Sequence, residues 1–184
     1  MKVKKTNIPG ILVVELDAYK DQRGWFVEVF EKTQMEAIGI KDNFIQDAVT
    51  VSTAKNTIRG LHFQNPPYEQ SKLVRCHRGA FFDVAVDLRK SSPTFGQHFS
   101  LELNETSWTA LYLPIGIAHG LYTLEDNTHL AYKISGKYSP ENAGGLVWND
   151  PVLDIKWPTA ATDVLINPRD RDLPFFNTAT TYFQ

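Results

Sequence analysis

Thr57-Ile58-Arg59-Gly60-Leu61-His62-Phe63-Gln64 reads as an extended strand with a histidine at its centre. Successive side chains on a strand point to opposite faces, so Gly60, His62 and Gln64 share one side, with Ile58 further along that same side. An imidazole there is expected to look into the fold. Taken alone, a histidine beside a glycine is more often a hydrogen-bonded core residue than a catalyst. Its neighbours along the chain have to decide between the two.

Downstream and upstream of it, β-branched and aromatic residues come in short runs. Ile45 to Thr53, Leu73 to His77, Ala80 to Leu88, His98 to Leu103, Thr109 to Leu113, Gly120 to Leu124 and Thr128 to Ser135 each have the length and composition of a strand. The breaks between them carry turn chemistry, as in Asn65-Pro66-Pro67, Arg78-Gly79, Ser91-Ser92-Pro93 and Glu125-Asp126-Asn127. Many short strands with regularly spaced turns predict a mainly β chain, an antiparallel jelly-roll barrel or sandwich with a few short helices. Phe82, Val84, Val86 and Leu88 alternate with Asp83, Ala85 and Asp87, the pattern of a strand with one buried and one polar face.

Toward the amino terminus, Pro9-Gly10 opens a strand over Ile11 to Leu16, and a polar stretch over Asp17 to Gly24 leads into Trp25 to Phe30. That run alternates, with Phe26, Glu28 and Phe30 on one face, and the default reading is an edge strand exposing Glu28. Glu31 to Ile38 is the best helical candidate, ended by Gly39. After Tyr138 the pattern loosens through Ser139-Pro140-Glu141, Gly144-Gly145 and Trp148-Asn149-Asp150-Pro151, which reads as a tail wrapping the barrel rather than a second domain. The cluster Asn167-Pro168-Arg169-Asp170-Arg171-Asp172 is by default a solvated loop.

Length and composition bound the rest. A chain of 184 residues with 42% hydrophobic and 22% charged content is expected to form one domain over residues 1–184. No run approaches the roughly 18 apolar residues of a membrane helix, so no membrane role is expected. A net charge of -2 argues against non-specific attraction to nucleic acid. The one cysteine, Cys76, has no partner for an internal disulfide, and a cytoplasmic setting is expected.

Two kinds of chemistry fit such a barrel. Pro114-Ile115-Gly116-Ile117-Ala118-His119 resembles the second motif of the cupin jelly rolls. A metal-binding cupin also needs a His-x-His pair on an earlier strand, and His62 is followed by Phe63 and Gln64 instead, so no bound metal or other cofactor is expected. The other kind is metal-free acid and base catalysis. Its parts are His62 as base, Tyr132 as acid, Lys72 as a fixed positive charge, and Arg23, Arg59 and His119 as anion binders. Against each stands a plainer reading: Tyr132, between Leu130 and Ile134, could be an ordinary core tyrosine, and most lysines are solvated.

The order of these pieces carries a resemblance. Arg59-Gly60-Leu61-His62-Phe63-Gln64, Lys72-Leu73-Val74-Arg75, Arg78-Gly79 with Asp83-Val84-Ala85-Val86-Asp87, Ser92-Pro93-Thr94-Phe95-Gly96, Pro114 to Gly120, Tyr132-Lys133 and Trp148-Asn149-Asp150-Pro151 together resemble the dTDP-4-dehydrorhamnose 3,5-epimerase family. The likeness runs from Pro9-Gly10 to Arg169-Asp170. It implies a metal-free, homodimeric, cupin-like jelly roll that inverts C3 and C5 of dTDP-4-dehydro-6-deoxyglucose. It further implies His62 as base, Asp170 as the carboxylate orienting it, Lys72 as enolate stabiliser and Tyr132 as acid. Arg23, Glu28, Gln46, Asp47, Arg59, His119 and Arg169 match substrate-binding positions, and Tyr138 matches an aromatic that stacks on thymine. The residues near Arg23 and Glu28 are expected to come from a strand exchanged between subunits. Ala143 stands where many members carry a glutamate, which removes one expected substrate contact. An epimerase acting at one carbon only, a non-catalytic sugar-nucleotide binder and a metal-dependent cupin oxygenase are the competing readings.

Overall fold

The computed structural model describes residues 1–159, 163–179 and 183. In chain order the strands are β1 (Lys2–Lys5), β2 (Leu12–Glu15), β3 (Ala18–Asp21), β4 (Gly24–Val27), β5 (Gln46–Ser52), β6 (Thr57–Gln64) and β7 (Lys72–Arg78). They continue as β8 (Ala80–Asp87), β9 (His98–Asn104), β10 (Thr109–Leu113), β11 (Ile117–Thr123), β12 (Thr128–Ile134), β13 (Ala143–Gly145) and β14 (Leu165–Ile166). Two short helices, α1 (Lys32–Ala37) and α2 (Pro168–Arg171), complete the set with one 3-10 turn at Pro140–Asn142. No helix among the described residues is long and apolar enough to cross a membrane.

One sheet has the order β1-β2-β10-β7-β12-β5, and the other runs β13-β6-β11-β8-β9 with β14 added beside β6. All pairs are antiparallel except β14 with β6. The sheets close over a shared core in which Val74, Leu111 and Leu130 of the first meet Phe81, Ala85, Leu103 and Leu121 of the second. This is the expected mainly β, jelly-roll arrangement, and its energy comes from removing those inward faces from water.

Each sheet is also covered on its outer side. Helix α1 lays Met35 and the following Ile40 on Val14, Leu73, Ala110 and Tyr112. The Glu31 carboxylate caps it by accepting from the Thr33 and Gln34 N–H groups, and Gly39 ends it at φ +94°. Over the second sheet, Leu146, Leu153 and Phe183 pack on Leu61, Val84, Val86 and Ala118. That cover corrects the reading of β8 as a strand with one polar face. Asp83 and Asp87 are both fully buried: Asp87 accepts from Arg89, Ser92 and Thr94, and Asp83 accepts from His119. The alternation was real, but the polar positions point into the barrel, where both oxygens of Asp87 find partners and Asp83 is engaged through one.

Two boundaries also move. Strand β11 begins at Ile117, three residues before Gly120, because it pairs with β8 from Ile117 opposite Asp87 onward. Strand β4 ends at Val27 rather than Phe30, and with β3 it forms a separate two-stranded hairpin on which Trp25 and Phe26 are both exposed. Alternation within one chain cannot account for two adjacent exposed aromatics.

Candidate active site

Strand β6 presents two site residues to the barrel interior because its regular alternation is broken once. Its neighbour β11 sets His119 opposite His62 and Leu121 opposite Arg59, so two steps on one strand are matched by three on the other. The extra residue is a bulge around Gly60. Gly60 has φ +103°, and a Cβ added to it would stand 2.6 Å from the His119 carbonyl oxygen and 2.8 Å from the Gly120 Cα, so only glycine fits. Before the bulge Ile58 packs outward with Tyr122, Trp148 and Ile166. After it Leu61 and Phe63 pack outward too. Simple alternation puts Ile58 on the side of His62; the bulge puts it on the opposite side and brings Arg59 and His62 to the same cavity.

The His62 side chain is 48% exposed to that cavity rather than sealed in the core, and its Nε2 lies 2.8 Å from Asp170 Oδ1. The other carboxylate oxygen of Asp170 accepts from the Gly60 N–H at 3.0 Å. Asp170 is buried, because Asn167-Pro168 starts a one-turn helix: the Asn167 side chain accepts from the Arg169 N–H, and proline occupies the first helical position. This corrects the default reading of that cluster as a solvated loop for Asp170, while its five neighbours from Asn167 to Asp172 are exposed as expected. Burial pushes the Asp170 carboxyl up, but the hydrogen bonds from His62 and Gly60 outweigh it and hold the group below the usual carboxylate range. An ionised carboxylate can only accept, so Nε2 of His62 carries a proton and, in the neutral ring, Nδ1 keeps the lone pair.

The facing sheet contributes Lys72 and Tyr132. Lys72 opens β7 opposite Ile134, and Tyr132 lies on β12 opposite Val74, packed against the central core. Burial pushes the Lys72 ammonium down to about 8, with the charge of Asp83 working against the fall. Burial, and then the same Asp83 charge, push the Tyr132 phenol up, so it holds its proton. The Arg59 guanidinium donates to Ser52 Oγ at 3.0 Å and to the Val51 carbonyl at 3.1 Å. Gln64, on the His62 face of β6, holds the chain around Tyr138 by donating to the Lys137 carbonyl and accepting from the Ser139 N–H.

A cavity of about 750 Å³ is lined by His62, Lys72, Tyr132, Tyr138, Arg169 and Asp170, with Ala143 on its wall. A second, of about 360 Å³, shares Arg59, His62, Lys72 and Tyr132 with it and adds His119. His119 itself is buried and bonded through Nε2 to Asp83 Oδ1 at 2.8 Å. The remaining candidates lie elsewhere in the chain. Arg23 is exposed on the hairpin and paired with Asp21, and Glu28 accepts from Gln34. Gln46 is exposed on β5, and Asp47 pairs with Lys133 beside a separate cavity of about 270 Å³ on the outer face of the first sheet. Thr50 and Gln70 also line the His62 cavity, and nothing in their sequence context marks them. Asp83 is different: aspartate is depleted in strands, and its presence between Phe82 and Val84 is a readable signal of a special environment.

The cavity can therefore hold a proton acceptor, a proton donor and a cation around one small ligand. Comparison with known proteins agrees with that chemistry. The family model described as dTDP-4-dehydrorhamnose 3,5-epimerase matches residues 5–178. The dTDP-4-dehydrorhamnose 3,5-epimerase of Shigella flexneri is 45% identical over 159 residues, covering 86% of this chain and 87% of that protein. The crystal structure of dTDP-4-dehydrorhamnose 3,5-epimerase from Bacillus anthracis with TDP and PPi bound superposes with a TM-score of 0.92 at 40% identity, covering 95% of this chain and 98% of that one. The dTDP-6-deoxy-D-glucose-3,5-epimerase of Legionella pneumophila, in complex with dTDP-4-keto-L-rhamnose, has a TM-score of 0.92 at 35% identity, covering 100% of this chain and 99% of that one.

Proposed function

From the premise that the chain belongs to the dTDP-4-dehydrorhamnose 3,5-epimerase family, we propose that it epimerises dTDP-4-dehydro-6-deoxyglucose at C3 and C5, giving dTDP-4-dehydrorhamnose. The observation that carries the reading is the meeting, around one cavity, of His62 on β6 and Asp170 on α2 with Lys72 and Tyr132 from the facing sheet. A ketone at C4 acidifies the C–H bonds on both neighbouring carbons. His62 takes the proton from C3 or C5 through Nδ1, and the electron pair moves onto the C4 oxygen. Asp170 holds the ring in the tautomer this needs and stabilises the imidazolium that forms. Lys72 donates to the enolate oxygen, and Tyr132 returns a proton to the same carbon from the opposite face, which inverts it. Arg59, Arg169 and His119 hold the nucleotide-sugar, with Tyr138 against the base.

We propose also that the working unit is a homodimer in the cytoplasm. Strand β5 is an edge strand with one side unpaired that exposes Val49 and Val51, with Ile45 exposed just before it, and the detached β3–β4 hairpin exposes Tyr19, Trp25 and Phe26. An apolar edge and an apolar hairpin are surfaces that a second copy of the chain would cover. Exchange of the hairpin would carry Arg23 and Glu28 to the partner's cavity. The free, buried thiol of Cys76, with burial the main force pushing its pKa up to about 12, fits a reducing compartment.

The test is turnover of the keto-sugar nucleotide in deuterated water, read by NMR. Deuterium at both C3 and C5 is the expected result. Label at one carbon assigns a single-site epimerase, and label at neither removes the catalytic reading.

A further inference from the structure

A second histidine-carboxylate pair lies in the floor of the same cavity, side by side with the first. On β6 and β11, His62 and His119 are direct cross-strand partners, and on β11 and β8, Leu121 is opposite Asp83, which makes Asp83 a diagonal neighbour of His119. All three side chains are directed to the barrel interior. The two pairs differ in enclosure. The His62 side chain is 48% exposed, whereas those of His119 and Asp83 are 4% and 0% exposed. Asp83 Oδ2 is buried with no hydrogen-bond partner among the described residues. A carboxylate kept dry with one oxygen unsatisfied is costly, and such a cost is retained where the charge has a task.

We infer that Asp83 is a positioning residue of this site, holding His119 through Nε2 so that its ring presents Nδ1 to the ligand, and supplying the negative charge that balances the Lys72 ammonium. The inference rests on the epimerase reading above. Three observations converge on it. Asp83 Oδ1 lies 2.8 Å from His119 Nε2, and an ionised carboxylate there accepts, with the proton on that nitrogen. The His119 ring meets the Tyr132 ring edge-on, with centroids 6.1 Å apart and planes at 80°, so fixing His119 also fixes one wall of the acid. His119, Lys72 and Tyr132 line one cavity and Asp83 stands behind His119, so its charge acts on both Lys72 and Tyr132, favouring the ammonium on one and the protonated phenol on the other. Those are the two protonation states that enolate stabilisation and reprotonation require. Asp170 cannot substitute, because its oxygens are taken by His62 and the Gly60 N–H.

The titratable groups facing Lys72 are Arg59 and His62 from β6, His119 from β11, Asp83 from β8, Tyr132 from β12, and Tyr138 at the mouth. Arg169 and Asp170 from α2 line the same cavity; of the two carboxylates, Asp170 is engaged by His62 and the Gly60 N–H, and Asp83 is the one whose charge favours the Lys72 ammonium. Asp83→Asn keeps the shape and still accepts from His119 while removing the charge. Expected is a fall in kcat of roughly 10- to 100-fold, with KM moving less than about threefold. The alkaline limb of the pH-rate profile should move to lower pH, since Lys72 then gives up its proton sooner. Native kcat and a native profile, with or without a lower melting temperature, would overturn the inference. Should the variant not fold, imidazole ¹⁵N spectra of the native protein decide: a His119 proton on Nε2 supports the assignment, and a proton on Nδ1 alone overturns it. Absence of deuterium exchange by the native protein would refute the epimerase reading while leaving the His119 tautomer to be read independently.

Discussion

A lysine at the start of a strand is ordinarily a solvated charge, and a histidine next to a glycine is ordinarily structural; Lys72 and His62 depart from those readings through their surroundings alone. Lys72 faces inward from β7, where enclosure lowers its ammonium to about 8, so the charge is present at neutral pH and lost as pH rises through that value. Native activity should therefore show an alkaline limb near pH 8. Lys72→Met keeps most of the apolar stem and should cut kcat roughly 10²- to 10³-fold, the cost of removing one oxyanion stabiliser, and should abolish that limb. Steady-state kinetics across pH checks both outcomes. His62 and Tyr132 were legible from alternation as inward-facing polar groups, whereas Lys72 read by default as a solvated lysine. Asp170 was not legible that way, since its burial depends on a single helical turn docking against β6 from 108 residues away.

At the scale of elements, the bulge on β6 is the device that makes the site. Without the extra residue at Gly60, Arg59 and His62 would point to opposite faces, and only one of them could reach the cavity. Gly60→Ala introduces a methyl group against the backbone of His119 and Gly120 at a φ that suits only glycine. A destabilisation of about 1–3 kcal/mol is expected from the overpacking, read as a lower denaturation midpoint, together with a loss of turnover larger than the unfolded fraction explains. Turnover that merely tracked folding would assign Gly60 to stability alone. The sequence contains Gly60 but not the reason for it, because the close approach is to β11, which lies about sixty residues downstream. Strand β8 makes the complementary point. Its alternating aspartates were visible as a pattern, yet the pattern is the same whether the polar face meets water or meets His119 and Arg89.

At the scale of the molecule, the hairpin and the β5 edge remain apolar surfaces that one protomer leaves uncovered. Phe26 is 67% exposed, on an element outside both sheets. On the proposed dimer, Phe26→Asp should leave the melting temperature of the folded chain nearly unchanged, while sedimentation shifts from dimer toward monomer and turnover drops by roughly tenfold or more, the outcome expected if the hairpin completes the neighbouring cavity. A Phe26→Asp protein that stays dimeric would place the contact elsewhere.

What the sequence determined by itself was the class of the fold, the inward direction of His62 and Tyr132, and the helix at Glu31 to Ile38. Each of these is a local property, set by side-chain periodicity and by turn and cap residues a few positions apart. The tertiary structure alone decided that Asp83 is buried and that Arg59 joins His62 on one face, and it supplied the Asp170–His62 contact that only the family resemblance had implied. Those are consequences of contacts between strands and turns far apart in the chain, where a polar residue becomes buried only because a distant partner arrives to satisfy it.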